Sequence, residues 1–249
     1  MINFGRLSLA VLLFVPINIT ASEAMSLITR GDSLFEAYDF EQSAARYDSS
    51  VALDSGSGEA SWKLARSLNL FAELEPRENQ LALYERAAAA AGRAVAIDSL
   101  EPEGHFQLAR AYGKIALFKG VFKSVGLAKR VKKEAEITLA LDSLHDGALH
   151  ILGRWHREVS KKPGFIRAPL GLSAADKREG LKLMARAIEL NPTLIHHRLE
   201  YGISLLNSDY EQEAREQFDI CLSLPARGPL ELKYQREAKE NLAKLDKKD

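Results

Sequence analysis

The sequence predicts an all-α protein, an α-solenoid of five helical hairpins with extended middle units and a C-terminal capping helix. Three observations predict it. Val51-Ala52-Leu53-Asp54-Ser55 returns as Val95-Ala96-Ile97-Asp98-Ser99 and again as Leu139-Ala140-Leu141-Asp142-Ser143, 44 residues apart each time. A second phrase keeps the same step: Leu64-Ala65-Arg66, Leu108-Ala109-Arg110 and Leu152-Gly153-Arg154. Two independent motifs on one period imply a structural unit stacked on itself, because a single unit cannot bury its apolar face alone. The composition agrees, with abundant Leu and Ala and only 8 prolines in 249 residues, a balance that suits helix.

Residues 1–21 read as an export signal, which leaves 22–249 as the repeat domain. Arg6 and the α-amine form a modest positive start, the run Leu7 to Val15 is apolar, and Pro16 follows. Ile19-Thr20-Ala21 suits cleavage before Ser22, with Ser22-Glu23-Ala24 as a second option. The run is shorter than the ~20 residues of a spanning helix. No cysteine follows it, so a lipoprotein anchor is excluded. The expected location is periplasmic or secreted, or membrane-anchored if the segment is not cut.

The first hairpin places Leu27, Gly31 and Leu34 on its A helix, Asp39-Phe40 at the turn, and Ser43, Tyr47 and Ser50 on its B helix. Small residues let the two helices approach, and bulky ones fill the space between hairpins. The second, third and fourth A helices begin at Trp62, Phe106 and His150. About ten extra residues precede each B-helix exit, ~15 Å in helical form, so these units should carry longer arms or an extra short helix. The alanine run Ala87 to Ala91 falls on the second B helix. Ser160 to Leu172, with Pro163, Gly164, Pro169 and Gly171, is the one long connection, a length often tied to function. The fourth unit leaves through Ala187-Ile188-Glu189-Leu190-Asn191-Pro192. The fifth has Gly202 and Leu205, a turn at Ser208-Asp209-Tyr210, then Ala214, Phe218 and Cys221, with Pro225 near its stop. Leu230, Tyr234, Ala238, Leu242 and Leu245 form one apolar stripe, expected of a terminal helix covering the last hairpin.

This pattern of small and bulky positions resembles the tetratricopeptide repeat from about Met25 to Pro225. The segment Asp146-Gly147-Ala148-Leu149-His150-Ile151-Leu152-Gly153-Arg154-Trp155-His156-Arg157-Glu158-Val159, followed by a long loop, resembles the regulator of microtubule dynamics family more closely. Gly31-Asp32-Ser33-Leu34-Phe35-Glu36-Ala37 is similar to that family's first helix. The resemblance implies a non-enzymatic repeat domain, associated in one branch of the family with membrane contact and phospholipid binding. The export signal is a departure, so microtubules are not carried over as a partner. A bacterial homologue is the simplest reading.

A net charge of zero conceals a segregation. The balance is −8 over residues 21–103, +8 over 104–170 and −1 over 171–249. Such zones either guide association with a charged surface or neutralise one another across packed repeats. Within the basic zone, Lys114, Lys119, Lys123, Lys129, Arg130, Lys132 and Lys133 precede the first acid, Glu134, and alternate with apolar residues. That stretch suits anionic lipid headgroups or an acidic peptide, and equally a solvated face over a buried stripe. Arg66, Arg110 and Arg154 share one repeat position and should form a ladder. Its rungs can fork onto carboxylate or phosphate, or pair with acids of neighbouring hairpins. With Trp155, Lys129, Arg130, Lys132 and Lys133 they are the candidate ligand-binding residues, although Trp62 and Trp155 fit a core as readily.

No catalytic set, metal site or cofactor motif is legible. His196, His197 and Glu200 lack an apparent third ligand, while His145, His150 and His156 do not line one helical face. Cys221 is the sole cysteine and sits at a core slot. There is no nucleophile elbow or phosphate-cradling glycine loop. Export and neutral charge argue against nucleic acid. The expected function is therefore non-catalytic. A protein or peptide partner would bind along the concave groove, or anionic phospholipid would enter an apolar pocket with a basic rim.

Overall fold

The computed structural model describes residues 16–120 and 123–247. Residues 1–15, which carry most of the expected export signal, lie outside them. Among the described residues there are twelve α-helices and no strand. Hairpin 1 pairs α1 (Pro16–Glu36) with α2 (Phe40–Leu53), and hairpin 2 pairs α3 (Gly58–Leu74) with α4 (Arg77–Ile97). Hairpin 3 pairs α5 (Pro102–Lys119) with α6 (Val125–Leu141). In hairpin 4, α7 (Asp146–Val159) pairs with α9 (Lys177–Leu190), and a short α8 (Gly164–Arg167) sits in the connection. Hairpin 5 is α10 (Ile195–Leu206) with α11 (Glu211–Ser223), and α12 (Pro229–Leu245) ends the fold. The extra residues of the middle units therefore become longer arms in hairpin 2 and an added short helix in hairpin 4. None of the helices among the described residues is long and apolar enough to cross a membrane.

The 44-residue phrase performs one task three times. Asp54, Asp98 and Asp142 each cap a B helix with nearly the same backbone angles, and each donates its N–H to the carbonyl four residues back. Each carboxylate then accepts the N–H two residues on, from Gly56, Leu100 and Leu144, at 2.9–3.0 Å. An Asp that closes its own turn this way sets the exit angle to the next hairpin. The A-to-B turns repeat too, through Tyr38 (φ 63°) and Asp209 (φ 65°).

Close approach of the paired helices depends on glycine. A Cβ at Gly31 would meet the Tyr47 ring at 2.6 Å, and one at Gly202 would meet the Phe218 ring at 2.5 Å. Tyr47 and Phe218 are both fully buried, so the same small-against-large contact holds the first and last hairpins together. Between hairpins, Leu64, Leu68, Ala87, Ala91 and Leu108 form one apolar cluster.

The terminal helix does more than cover hairpin 5. It packs on α10 and α11, as the stripe requires, and it also reaches α3. Phe40, at the start of α2, belongs to the same apolar cluster as Ile195, Phe218, Leu230 and Tyr234. A Cβ at Gly228 would lie 2.6 Å from the Tyr38 ring. The superhelix thus bends until its last helix meets its first two hairpins.

Candidate functional site

The A helices α1, α3, α5, α7 and α10 line the concave side, and α12 lies across it. The arginine ladder faces inward, and each rung has an acidic neighbour on an adjacent A helix. Arg66 of α3 lies 3.9 Å from Asp32 of α1, Arg110 of α5 lies 2.9 Å from Glu73 of α3, and Arg154 of α7 lies 3.2 Å from Glu200 of α10. Glu200 thus gives the last arginine of the ladder a carboxylate partner on the next A helix.

Glu73 is the centre of this network. It receives Arg110, Lys114 at 3.1 Å and the Tyr234 hydroxyl at 2.9 Å, while Lys233 donates to its backbone carbonyl. Burial alone would raise its pKa, but the Lys114 and Arg110 charges hold it well below the usual carboxylate range. Glu200 behaves alike: burial raises it, and Arg154 with Arg157, 2.8 Å away, lowers it further. Arg157 also donates to the Glu200 carbonyl and to Ser204 at 3.1 Å. These buried carboxylates are ionised and ion-paired, which makes them poor general bases.

Beside the network lies a cavity of about 600 Å³, within the ~300–1,000 Å³ of small-molecule sites. Phe35, Leu70, Phe106, Leu117, Ile151 and Leu230 are among the residues of its apolar wall. The cations that reach it are Arg66, Arg110, Lys114 and Arg154. Arg66 is the least committed of them. Its guanidinium lies 3.7 Å from the Phe35 ring centroid, and its buried Nε has no hydrogen-bond partner among the described residues.

The other expected site residues lie elsewhere. Lys129, Arg130, Lys132 and Lys133 are on α6, a B helix, and none borders the cavity. Arg130 donates to the Tyr112 hydroxyl at 3.1 Å, and Lys132 pairs with Glu136. The basic stretch is not one amphipathic helix, because α5 ends at Lys119 and α6 begins at Val125. Lys114 turns inward to Glu73 while Lys119 pairs with Glu85 on α4. Trp155 is chiefly core: it packs with Val131, Val159 and Leu172 and donates its indole N–H to the Ala128 carbonyl at 2.7 Å, with part of its ring at the cavity.

The structure also assembles residues that helical spacing keeps apart. His150 of α7 meets His196 and His197 of α10, with ring centroids 4.8 and 4.5 Å apart. The repeat register gave only a partial signal: Trp62, Phe106 and His150 keep the 44-residue step and each stand four residues before an arginine of the ladder, while His196 lies 46 residues after His150.

The sequence model of the family described as "Regulator of microtubule dynamics protein 1-3" matches residues 27–246. Among solved structures, a thermophilic TPR protein of Thermus thermophilus superposes with a TM-score of 0.64 at 15% identity, over 88% of this chain and 99% of its own. The Pseudomonas aeruginosa pilF protein gives a TM-score of 0.49 at 14% identity, over 92% of each chain. A comparison with curated proteins finds no match. The first superposition shows a fold of the tetratricopeptide-repeat type, an all-α solenoid.

Proposed function

The chain belongs to the regulator of microtubule dynamics protein 1-3 family, and from that premise we propose a non-catalytic binding scaffold whose cavity takes an amphiphilic acid, an acyl chain carrying an anionic head group. One observation carries the reading: a mostly apolar cavity of about 600 Å³ with Arg66, Arg110 and Arg154 along one wall. Roughly ten methylenes buried at ~0.8 kcal/mol each contribute about 8 kcal/mol, the scale of a micromolar Kd before binding costs. The head group goes to Arg66, whose Nε is buried without a partner among the described residues and can fork onto carboxylate or phosphate.

Native mass spectrometry of the purified chain tests this. Co-purified mass released by organic solvent is expected, together with binding of a fluorescent long-chain acid that Arg66→Ala weakens at least tenfold. A clean protein mass and no saturable uptake of that acid would refute it.

A protein partner is the second reading. Leu100 and Leu144 stand at equivalent turns and are 74% and 62% exposed, a repeated apolar pair along one edge of the solenoid. Replacing both with Ser tests it: partner capture would fall while acid uptake stays. We also read the chain as exported, on the strength of its apolar leader and small cleavage residues. Residues 21–23 are exposed, and Ala24 is buried, its carbonyl accepting the Ser50 hydroxyl at 3.0 Å. Amino-terminal sequencing of the mature protein checks this, with Ser22 the expected first residue.

A further inference from the structure

The cavity wall holds three imidazoles that the binding reading does not use. The ligand nitrogens of His150, His196 and His197 all lie within 4.8 Å of one another. His150 and His197 are each 3% exposed. Among the described residues, neither ring nitrogen of His150 has a hydrogen-bond partner, and neither has Nδ1 of His197. A buried polar atom left unpaired costs about 1–3 kcal/mol, so one nitrogen from each of these two rings calls for a shared partner. The other nitrogen of His197, Nε2, faces the Asp146 carboxylate at 3.0 Å.

We propose that His150, His196 and His197 bind a divalent transition-metal ion on the cavity wall, with Asp146 orienting His197 from behind and a further coordination position open to the cavity. Imidazole ligands favour zinc, copper, nickel or iron over magnesium and calcium. Zinc takes imidazole at ~2.0–2.1 Å, which sets ligand nitrogens about 3.4 Å apart in a tetrahedral site. The rings therefore have to close by about 1 Å and turn out of the His150–His197 stack, whose planes lie 20° apart, movements that side-chain torsions supply. Donation from Nε2 of His197 to Asp146 leaves the Nδ1 lone pair free to ligate, the carboxylate–histidine–metal arrangement that fixes ring and tautomer.

Nearby charge does not repel the ion. Lys114, Arg154 and Arg157 face the cluster, but Glu73 and Glu200 are paired with them, and Asp146 adds a third carboxylate. Arg110 and Glu158 contribute one further charge of each sign. Glu200 also lies 3.8 Å from Nε2 of His196. The open position suits an acidic group or solvent. The ion would join α7 to α10, and its presence does not depend on what else the cavity holds.

The test uses the full chain, stripped of metal with a chelator and of bound small molecules with organic solvent, then titrated with Co²⁺ and afterwards with Zn²⁺. We expect one equivalent of Co²⁺, visible absorption of a four-coordinate ion, displacement by one equivalent of Zn²⁺ and a raised melting temperature. His150→Phe, which keeps a ring in the stack, should weaken uptake at least 100-fold, and Asp146→Asn 10–100-fold. His156→Gln, on the same helix but outside the cluster, should bind as the unaltered chain does. Should His150→Phe fail to fold by circular dichroism, His196→Gln decides the question by the same loss. Absence of stoichiometric uptake by the unaltered chain, or undiminished uptake by a folded His150 or His196 variant, overturns the proposal.

Discussion

The Tyr234 hydroxyl donates to Glu73 across 2.9 Å, although 161 positions separate them in the chain. This contact joins α12 to α3 and brings the end of the superhelix against its second hairpin. Tyr234→Phe keeps the ring and removes the donor, leaving Glu73 with Arg110 and Lys114. The expected loss is about 1–2 kcal/mol, read as a lower urea midpoint at unchanged slope. A reduced slope would mean instead that α12 separates before the rest unfolds.

The charge network predicts the response to acid. Glu73 has a folded-state pKa depressed well below its usual value, so its contribution is present above about pH 4.3 and is lost as pH falls toward the folded value. Glu73→Gln leaves Arg110 and Lys114 buried without their counter-charge, at a cost of about 3 kcal/mol or more near neutrality. The gap between the two proteins should narrow as pH drops below about 4. Urea unfolding at a series of pH values measures it, and a constant gap would contradict the assignment.

Two glycine substitutions should act in opposite directions. At Gly202 an added methyl would sit 2.5 Å from the buried Phe218 ring, whereas at Gly92 nothing lies within 4 Å. Gly202→Ala should destabilise by about 1–3 kcal/mol through overpacking. Gly92→Ala should stabilise α4 by about 0.5–1 kcal/mol through helix propensity. Thermal or urea denaturation of the pair checks both signs.

Cys221 is fully buried, and burial pushes its thiol up to about 12. At about pH 8, near the pKa of a free thiol, it should resist alkylation in the folded protein and react within minutes in denaturant. Rapid labelling of the native chain would place it in a different environment.

The periodic part of this structure was legible because it is local. A repeated Asp closes the same turn wherever it falls, and a glycine opposite a bulky ring marks a hairpin within about 20 residues. The arginine ladder was equally visible, as was its readiness to pair with acids of neighbouring hairpins. The curvature of the stack was not. It decides that α12 reaches α3 and that Lys129, Arg130, Lys132 and Lys133 stand outside the cavity lining. It also brings His150 beside His196. Curvature sums small angles between successive hairpins, and no single residue encodes it. Trp62, Phe106 and His150 keep the 44-residue step, but His196 falls 46 residues after His150, so the register alone did not place the histidine contact.

Open solenoids can lengthen by duplicating a unit, because each new repeat needs only its neighbours. Here the terminal helix has a fixed address on hairpin 2, at Glu73. A sixth hairpin spliced before Pro229 would carry Tyr234 away from that address and strand a buried carboxylate with two cations. In this architecture the repeat number is set by closure, as the circumference of a ring sets its beads, and evolution by simple duplication is barred without rebuilding the clasp.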